Sequence, residues 1–306
     1  MQEKILIIKL GALGDMVQAS SAFAALRQYH KDAHLTLLTT KPYKEMTEKM
    51  GYFDEVWIDE KAKIYQVGKL LSFRNKLRQT GFKRIYDLQN VDRTQLYSFL
   101  LGKKGEWIAP HKKDRFINPQ ERFTKLFKPL GIPFSETLDL KQIAEPYDAM
   151  TIKKPYALLI PGASMAHGGR KKWPEENYTK IASYLLEKGI QPVLIGGPSE
   201  NWTYIKSQIP EVIDLCGKTT FYQVIGLGQN ALFTLGNDTG PTLLAASGGS
   251  PTLTLFASCN PPSLGGAKGK NHHNLYEPDL RNLAAERVIE KLKGLLQIVS
   301  SGQTGG

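Results

Sequence analysis

Short apolar runs alternate along the chain with longer stretches in which apolar residues return every three or four positions. Ile5 to Ile8, His34 to Leu38, Val56 to Ile58 and Arg84 to Leu88 read as strands. Between them, Val17 to Tyr29 and Lys63 to Gln79 read as helices, the second with Leu70, Leu71, Phe73 and Leu77 on its apolar side. From Asp139 to Pro155 the periodicity fades through Glu-Pro-Tyr-Asp and Lys-Lys-Pro, and a linker is expected there. A second series follows at once. Strands at Tyr156 to Ile160, Pro192 to Ile195, Val212 to Leu215, Ala231 to Leu235 and Thr252 to Phe256 alternate with helices at Glu175 to Glu187, Asn201 to Gln208, Phe221 to Gly228 and Pro241 to Ser247. Ala284 to Val299 closes the pattern as an amphipathic helix with Val288, Leu292, Leu295 and Leu296 apolar. Strands alternating with helices predict the α/β class, with parallel sheets and crossover helices. The expected division is a domain over 1–148, a second over 149–299 and a frayed tail over 300–306.

Composition narrows the picture. A chain of 306 residues with 41% hydrophobic positions has room for two domains with real cores, which excludes a disordered, fibrous or disulfide-stapled protein. Cys216 and Cys259 lie far apart without a CxxC or Cys/His spacing and read as free thiols of a reducing compartment. The apolar run at Ile5 to Ile8 is far shorter than the ~20 residues of a membrane span, so a cytoplasmic protein, at most peripheral to a membrane, is expected.

Charge is unevenly spread. The net charge is +11, yet residues 61–128 alone hold 17 basic and 5 acidic side chains, more than the whole excess. Such a surface suits a polyanion or an anionic membrane, or is simply a solvated face. Within it, residues 102–122 are basic and poorly periodic and read as a loop-rich surface insertion.

Three strand-to-helix junctions carry candidate chemistry. Ile8-Lys9-Leu10-Gly11-Ala12-Leu13-Gly14-Asp15 places two glycines and an acid where the first strand enters the first helix. Its spacing is GxxG and not GxGxxG, so a dinucleotide fingerprint is incomplete, and Asp15 reads equally as a helix cap. Pro161-Gly162-Ala163-Ser164 follows the first strand of the second series, with Arg170-Lys171-Lys172-Trp173-Pro174 just after it. Backbone N–H groups at Gly162 suit phosphate oxygens and Lys171 suits a diphosphate, while Trp173-Pro174 reads as a packed helix entry. Leu235-Gly236-Asn237-Asp238-Thr239-Gly240-Pro241 repeats the theme, with N–H donors at a helix start. A fourth stretch, Gly196-Gly197-Pro198-Ser199-Glu200, ends in an acid that suits ribose hydroxyls or caps the next helix. The histidines lack HxxxH or HExxH spacing and no DxD pair occurs, so a divalent-metal mechanism is disfavoured.

These stretches, in this order, resemble glycosyltransferase family 9, the ADP-heptose:lipopolysaccharide heptosyltransferases. The matching segments are Ile5 to Leu26, Leu159 to Ala182, Val193 to Glu200 and Leu215 to Phe256, and the likeness is weak between about residues 60 and 150. The resemblance implies a GT-B architecture of two Rossmann-like doubly wound parallel-sheet domains facing across a cleft. It implies an inverting, metal-independent transfer with no cofactor, from an ADP-sugar donor on the second domain to an anionic glycolipid on the first. Asp15 takes the place of the general base. Gly162, Lys171, Glu200, Asp238, Thr239 and Gly240 take the donor side, and Lys9, Gly14 and Arg93 the acceptor side. Where family members commonly carry a His three residues after that last glycine of the donor side, this chain has Leu243.

Other readings remain open at this stage. A donor-binding protein without turnover would keep the fold, and a transferase using another nucleotide sugar would keep the phosphate chemistry. An NAD-linked oxidoreductase is opposed by the incomplete fingerprint. Nucleic-acid binding through Phe73, Tyr86, Tyr97, Trp107 and Phe116 is opposed by the simpler reading of these aromatics as core, and no nucleic-acid partner is expected.

Overall fold

The computed structural model describes residues 2–62, 65–102, 104–147, 152–163 and 166–302. The chain divides into two units, Met1–Thr137 and Leu138–Gly306. Ser164, the expected start of the Lys63 helix and residues 303–306 of the expected tail lie outside the described residues.

The first unit is a five-stranded sheet of β1 (Lys4–Ile8), β2 (His34–Thr39), β3 (Glu55–Ile58), β4 (Arg84–Asp87) and β5 (Glu106–Ile108) in the order β3-β2-β1-β4-β5. Each pairing is parallel. The connections carry α1 (Leu13–Tyr29), α2 (Lys44–Lys49), α3 (Val67–Thr80) and α4 (Asp92–Leu101), and α5 (Pro119–Phe127) follows β5. β1 is apolar on both faces, with Ile5, Leu6, Ile7 and Ile8 buried, as a central parallel strand must be.

One expectation fails in this unit. The basic stretch 102–122 is not a loop-rich insertion. Glu106, Trp107 and Ile108 pair with Arg84, Ile85 and Tyr86, and Asn118 caps α5 by accepting the Gln120 N–H at 2.9 Å. Phe123, Leu126 and Phe127 bury that helix, a pattern that the run of lysines and arginines before it conceals. The segment expected to be a linker after Asp139 falls within the second unit, which begins at Leu138. Leu140 and Ile143 are buried there, and the Leu140 and Glu145 N–H groups donate to the Ser247 and Tyr222 carbonyls, which ties the segment to α8 and α9 of its own unit.

The second unit has six parallel strands in the order β11-β10-β9-β6-β7-β8. They are β6 (Tyr156–Ile160), β7 (Gln191–Leu194), β8 (Ile213–Asp214), β9 (Phe233–Asn237), β10 (Thr252–Phe256) and β11 (His272–Tyr276). The helices are α6 (Glu175–Glu187), α7 (Thr203–Gln208), α8 (Phe221–Asn230), α9 (Gly240–Ser247), α10 (Pro262–Gly265) and α11 (Ala285–Gly302). In α6, Tyr178, Ile181, Ala182 and Leu185 repeat at helical spacing and are buried. α11 continues to Gly302, past the expected end at Val299, and buries Val288, Leu292 and Leu295 in the same core.

In both sheets the strand order reverses beside the strand made first, at β1/β4 and at β6/β9. Ligands of doubly wound sheets bind outside the carboxyl ends of the strands at that reversal. Ile8 is in register with Asp87 there, and Ile160 with Gly236, so the residues that follow each pair emerge side by side.

Candidate functional site

At the β1/β4 edge the chain leaves the sheet through Lys9 and Leu10. The Leu10 N–H donates to Gln89 Oε1 at 3.0 Å, and its carbonyl accepts from Thr40 Oγ1 at 3.0 Å, so strand neighbours on both sides fix the turn. Gly11 follows with φ +114°, and a Cβ there would collide with the Tyr43 ring; no other residue fits. α1 starts at Leu13, with Gly14 half-buried in its first turn, and Asp15 is its third residue. Asp15 Oδ2 accepts the Ala12 N–H at 3.1 Å, so Asp15 reaches back over the helix start instead of occupying the N-cap, which is Ala12.

The surroundings of Asp15 are cationic. Lys9 Nζ lies 3.7 Å from Asp15 Oδ1; the lysine side chain is only 5% exposed, the aspartate 45%. Burial holds the Lys9 ammonium below its usual range, with Asp15 and Asp87 drawing it back and Arg122 adding to the depression. Asp87 is fully buried at the end of β4. Its carboxyl is pushed up by burial, against the pull of hydrogen bonds from Thr94 and from the Asn90 and Gln89 N–H groups. Arg122, on α5, donates Nη2 to the Ile117 carbonyl at 3.2 Å and interacts electrostatically with both Lys9 and Asp15. Reasoning from sequence missed Arg122, because it sits inside the stretch read as insertion. An open depression of about 900 Å³ adjoins this turn, lined by Gly11, Ala12, Tyr43, Asp59, Gln89 and Arg93 among others.

Arg93 lies on the far wall of that depression and is engaged. Its Nε and Nη2 donate to the two Asp59 oxygens at 2.8 and 2.9 Å, and Tyr97 OH donates to Asp59 Oδ2 at 2.7 Å. Burial pushes the Asp59 carboxyl up, but Arg93, Tyr97 and the Lys61 N–H outweigh it and hold it below the usual range.

At the β6/β9 edge a second arrangement appears. Asn237 is buried and donates Nδ2 to the Pro161 carbonyl at 2.7 Å, while its Oδ1 accepts from Tyr178 OH at 3.2 Å. This clamp fixes the Pro161-Gly162 turn against the end of β9. Trp173 is fully buried and donates to the Leu283 carbonyl at 2.8 Å, the packed helix entry that its sequence context suggested. Lys171 Nζ donates to Asp238 Oδ2 at 2.6 Å, with the side chains 18% and 9% exposed, and Asn260 Nδ2 donates to the same oxygen at 2.6 Å.

α9 begins at Gly240 with Thr239 as N-cap and Pro241 in the first turn, leaving N–H donors at the positive end of the helix. Leu243 is buried in this helix. Glu200 does not cap the next helix: Asn201 Oδ1 accepts the Thr203 N–H there. Instead the Glu200 carboxylate lies over Gly162 and Gly196, in space that a Cβ at either glycine would fill, and accepts the Gly197 N–H at 3.2 Å. Burial raises the Glu200 carboxyl, against the Gly197 N–H and Lys172. Gly162, Glu200, Thr239 and Pro241 thereby line one cavity of about 250 Å³.

Comparison with known proteins decides the family. The model of glycosyltransferase family 9 (heptosyltransferase) matches residues 110–293, more than half of the chain. The chain belongs to glycosyltransferase family 9. It is 26% identical over 345 aligned positions to the lipooligosaccharide heptosyltransferase 2 of Haemophilus influenzae, covering 99% of this chain and 92% of that one. It is 21% identical to the lipopolysaccharide core heptosyltransferase OpsX of the same organism, covering 85% and 80%. Among solved structures it superposes on ADP-heptose lps heptosyltransferase II of Escherichia coli with a TM-score of 0.76 at 20% identity, covering 96% of this chain and 98% of that one. The fold class is GT-B, and as a family 9 member the protein is a glycosyltransferase. Among the described residues no helix is long and apolar enough to cross a membrane.

Proposed function

We propose that this glycosyltransferase moves a heptose from ADP-heptose to an anionic lipopolysaccharide core acceptor, by inversion and without a metal ion, with Asp15 as general base. The observation that carries the reading is the Asp15 carboxylate: it is half-open at the strand-order reversal, anchored by the Ala12 N–H and backed by buried Lys9. A carboxylate held this way has free lone pairs and a fixed direction, the requirements for taking a proton from an attacking hydroxyl.

In the proposed step the acceptor hydroxyl gives its proton to Asp15 as its oxygen bonds to the anomeric carbon. The bond from that carbon to the diphosphate oxygen breaks, and the electron pair leaves with ADP. Lys171, oriented by Asp238, and the N–H groups at the start of α9 face the negative charge that develops on the diphosphate. Glu200 above Gly162 takes the ribose hydroxyls. Gly14 lets the acceptor approach the first turn of α1, and Arg93 lines the depression that receives it. No cofactor besides the ADP-sugar is invoked.

The acceptor end belongs to the first unit. α3 carries Lys69, Arg74, Lys76 and Arg78 and no acid, with Val67 and Leu71 about half-exposed, a surface that matches anionic lipid at a cytoplasmic membrane face. Tyr86 and Tyr97 are buried, which removes them from any nucleic-acid stacking platform.

The deciding experiment is steady-state transfer from ADP-heptose to lipopolysaccharide core by wild type and Asp15→Asn, with calorimetric titration of ADP beside it. Loss of turnover with ADP affinity retained supports the reading; undiminished turnover removes Asp15 from the mechanism, and absence of transfer by wild type removes the donor–acceptor pair.

A further inference from the structure

Lys171 does not have Asp238 to itself. One oxygen, Asp238 Oδ2, accepts from both Lys171 Nζ and Asn260 Nδ2, each at 2.6 Å. A cation and a neutral amide therefore share one oxygen of a side chain that is only 9% exposed.

The sheet order brings Asn260 to that place. Leu255 of β10 is in register with Asn237 of β9, and the Asp238 N–H donates to the Leu255 carbonyl at 3.1 Å, so the chain leaving β10 runs beside Asp238. The Asn260 N–H donates to the Ala257 carbonyl at 3.1 Å and closes a turn just after the strand. α10 then lies against the amide: a Cβ at buried Gly265 would come within 2.2 Å of Asn260 Nδ2, so a glycine is what lets helix and amide meet. Packing thus holds the amide in place. Lys171 reaches the same oxygen on a flexible four-carbon stem and is free to turn away from it.

Charge gives the second donor its use. In the free protein Lys171 is neutralised by Asp238. A diphosphate that takes the lysine takes it from a carboxylate set largely out of water, and such a carboxylate stripped of its partner is costly. Asn260 keeps the oxygen hydrogen-bonded through that exchange, and being neutral it leaves the charge of the lysine to the diphosphate.

We propose that Asn260 is a positioning residue of the donor site, holding Asp238 in place while Lys171 turns from that carboxylate to the donor diphosphate. The assignment rests on the donor reading given above and extends it to a residue that acts through Asp238.

The test is calorimetric titration of ADP, from about pH 5 to about pH 8, into wild type, Asn260→Ala and Asn260→Asp, with each affinity taken relative to wild type at the same pH. Asn260→Ala binds ADP about tenfold more weakly at every pH. Asn260→Asp loses at least as much at the alkaline end, where the introduced carboxylate repels Asp238 and makes a second claim on Lys171. It recovers most of the loss at the acid end, because one of two carboxyl groups in contact keeps its proton to higher pH and then donates to the other as the amide did. Asp238 faces this position from the end of β9 and Lys171 from the turn before α6, while α10 contributes the uncharged Gly265. A role in packing alone gives no such recovery. Asn260→Asp keeps the size of the side chain and carries the test should the alanine variant fold poorly. Undiminished ADP affinity in Asn260→Ala, or a deficit in Asn260→Asp that does not change with pH, overturns the assignment and leaves the donor reading standing. Absence of ADP binding by wild type removes the donor reading, and the assignment with it.

Discussion

The two strand-order reversals each hold a lysine–aspartate pair, and the pairs face solvent with opposite members. Beside β1 the lysine is the hidden partner: Lys9 is 5% exposed and Asp15 45%, at 3.7 Å. Beside β9 the aspartate is more deeply set: Asp238 is 9% exposed and Lys171 18%, at 2.6 Å. The first junction therefore exposes its carboxylate, and the second keeps both partners largely buried, the lysine the less so. The function proposed above gives the exposed carboxylate the part of the base and the lysine of the second junction that of the cation.

The comparison breaks most visibly at Asp15. Asp15→Asn keeps the size and the acceptor for the Ala12 N–H but removes the proton acceptor, and turnover should fall ~10²–10⁴-fold with ADP affinity retained. At the other junction, Lys171→Met takes away the presented cation and leaves Asp238 with Asn260 alone. ADP should bind ~10–100-fold more weakly by calorimetry, and the unfolding free energy should drop by ~1–3 kcal/mol in urea titrations. Equal effects of both substitutions on ADP binding would erase the assigned polarity.

Smaller changes sharpen it. In Gly162→Ala the new methyl meets the Glu200 carboxylate, the movable end of a side chain, so the protein should keep its melting temperature within about 2 °C while ADP affinity declines ~3–10-fold. Glu200→Gln reports the cost of that carboxylate. Burial raises its pKa above the unfolded value near 4.5, so between the two values the folded state binds more protons than the unfolded one. Its contribution to stability therefore falls as pH rises through that window, and the cost is fully present above it. At pH 7 the Gln variant should melt about 1–2 °C higher than wild type, a gain that calorimetry at pH 4 should find diminished.

The junctions were the most legible parts of the sequence because glycine and proline punctuate them where apolar strands end. Gly162, Glu200 and Thr239 do line one cavity, and Lys171 and Asp238 do meet. What stayed hidden has physical causes. β11 reads His-His-Asn-Leu-Tyr, a half-exposed edge strand without an apolar run. α4 has no separate apolar face to read, since it buries Thr94 beside Tyr97 and Leu101 and exposes Phe99, yet it supplies Arg93 and Tyr97. Arg122 belongs to the neighbourhood of Asp15 only through the packing of α5, and its distance in sequence gives no sign of that. Asn260 reaches Asp238 from the loop after β10, again a product of the sheet order.

That order also sets a timetable for synthesis. β1 and β6 are the innermost strands and among the most apolar, and each is made long before the strand that covers its second edge: 76 residues separate Ile8 from Arg84, and 73 separate Ile160 from Phe233. At ~5–20 residues per second a ribosome takes roughly 4–15 s to close each gap. For that interval a hydrophobic strand has an open flank, twice per molecule, and the nascent chain is most in need of a chaperone in those two windows.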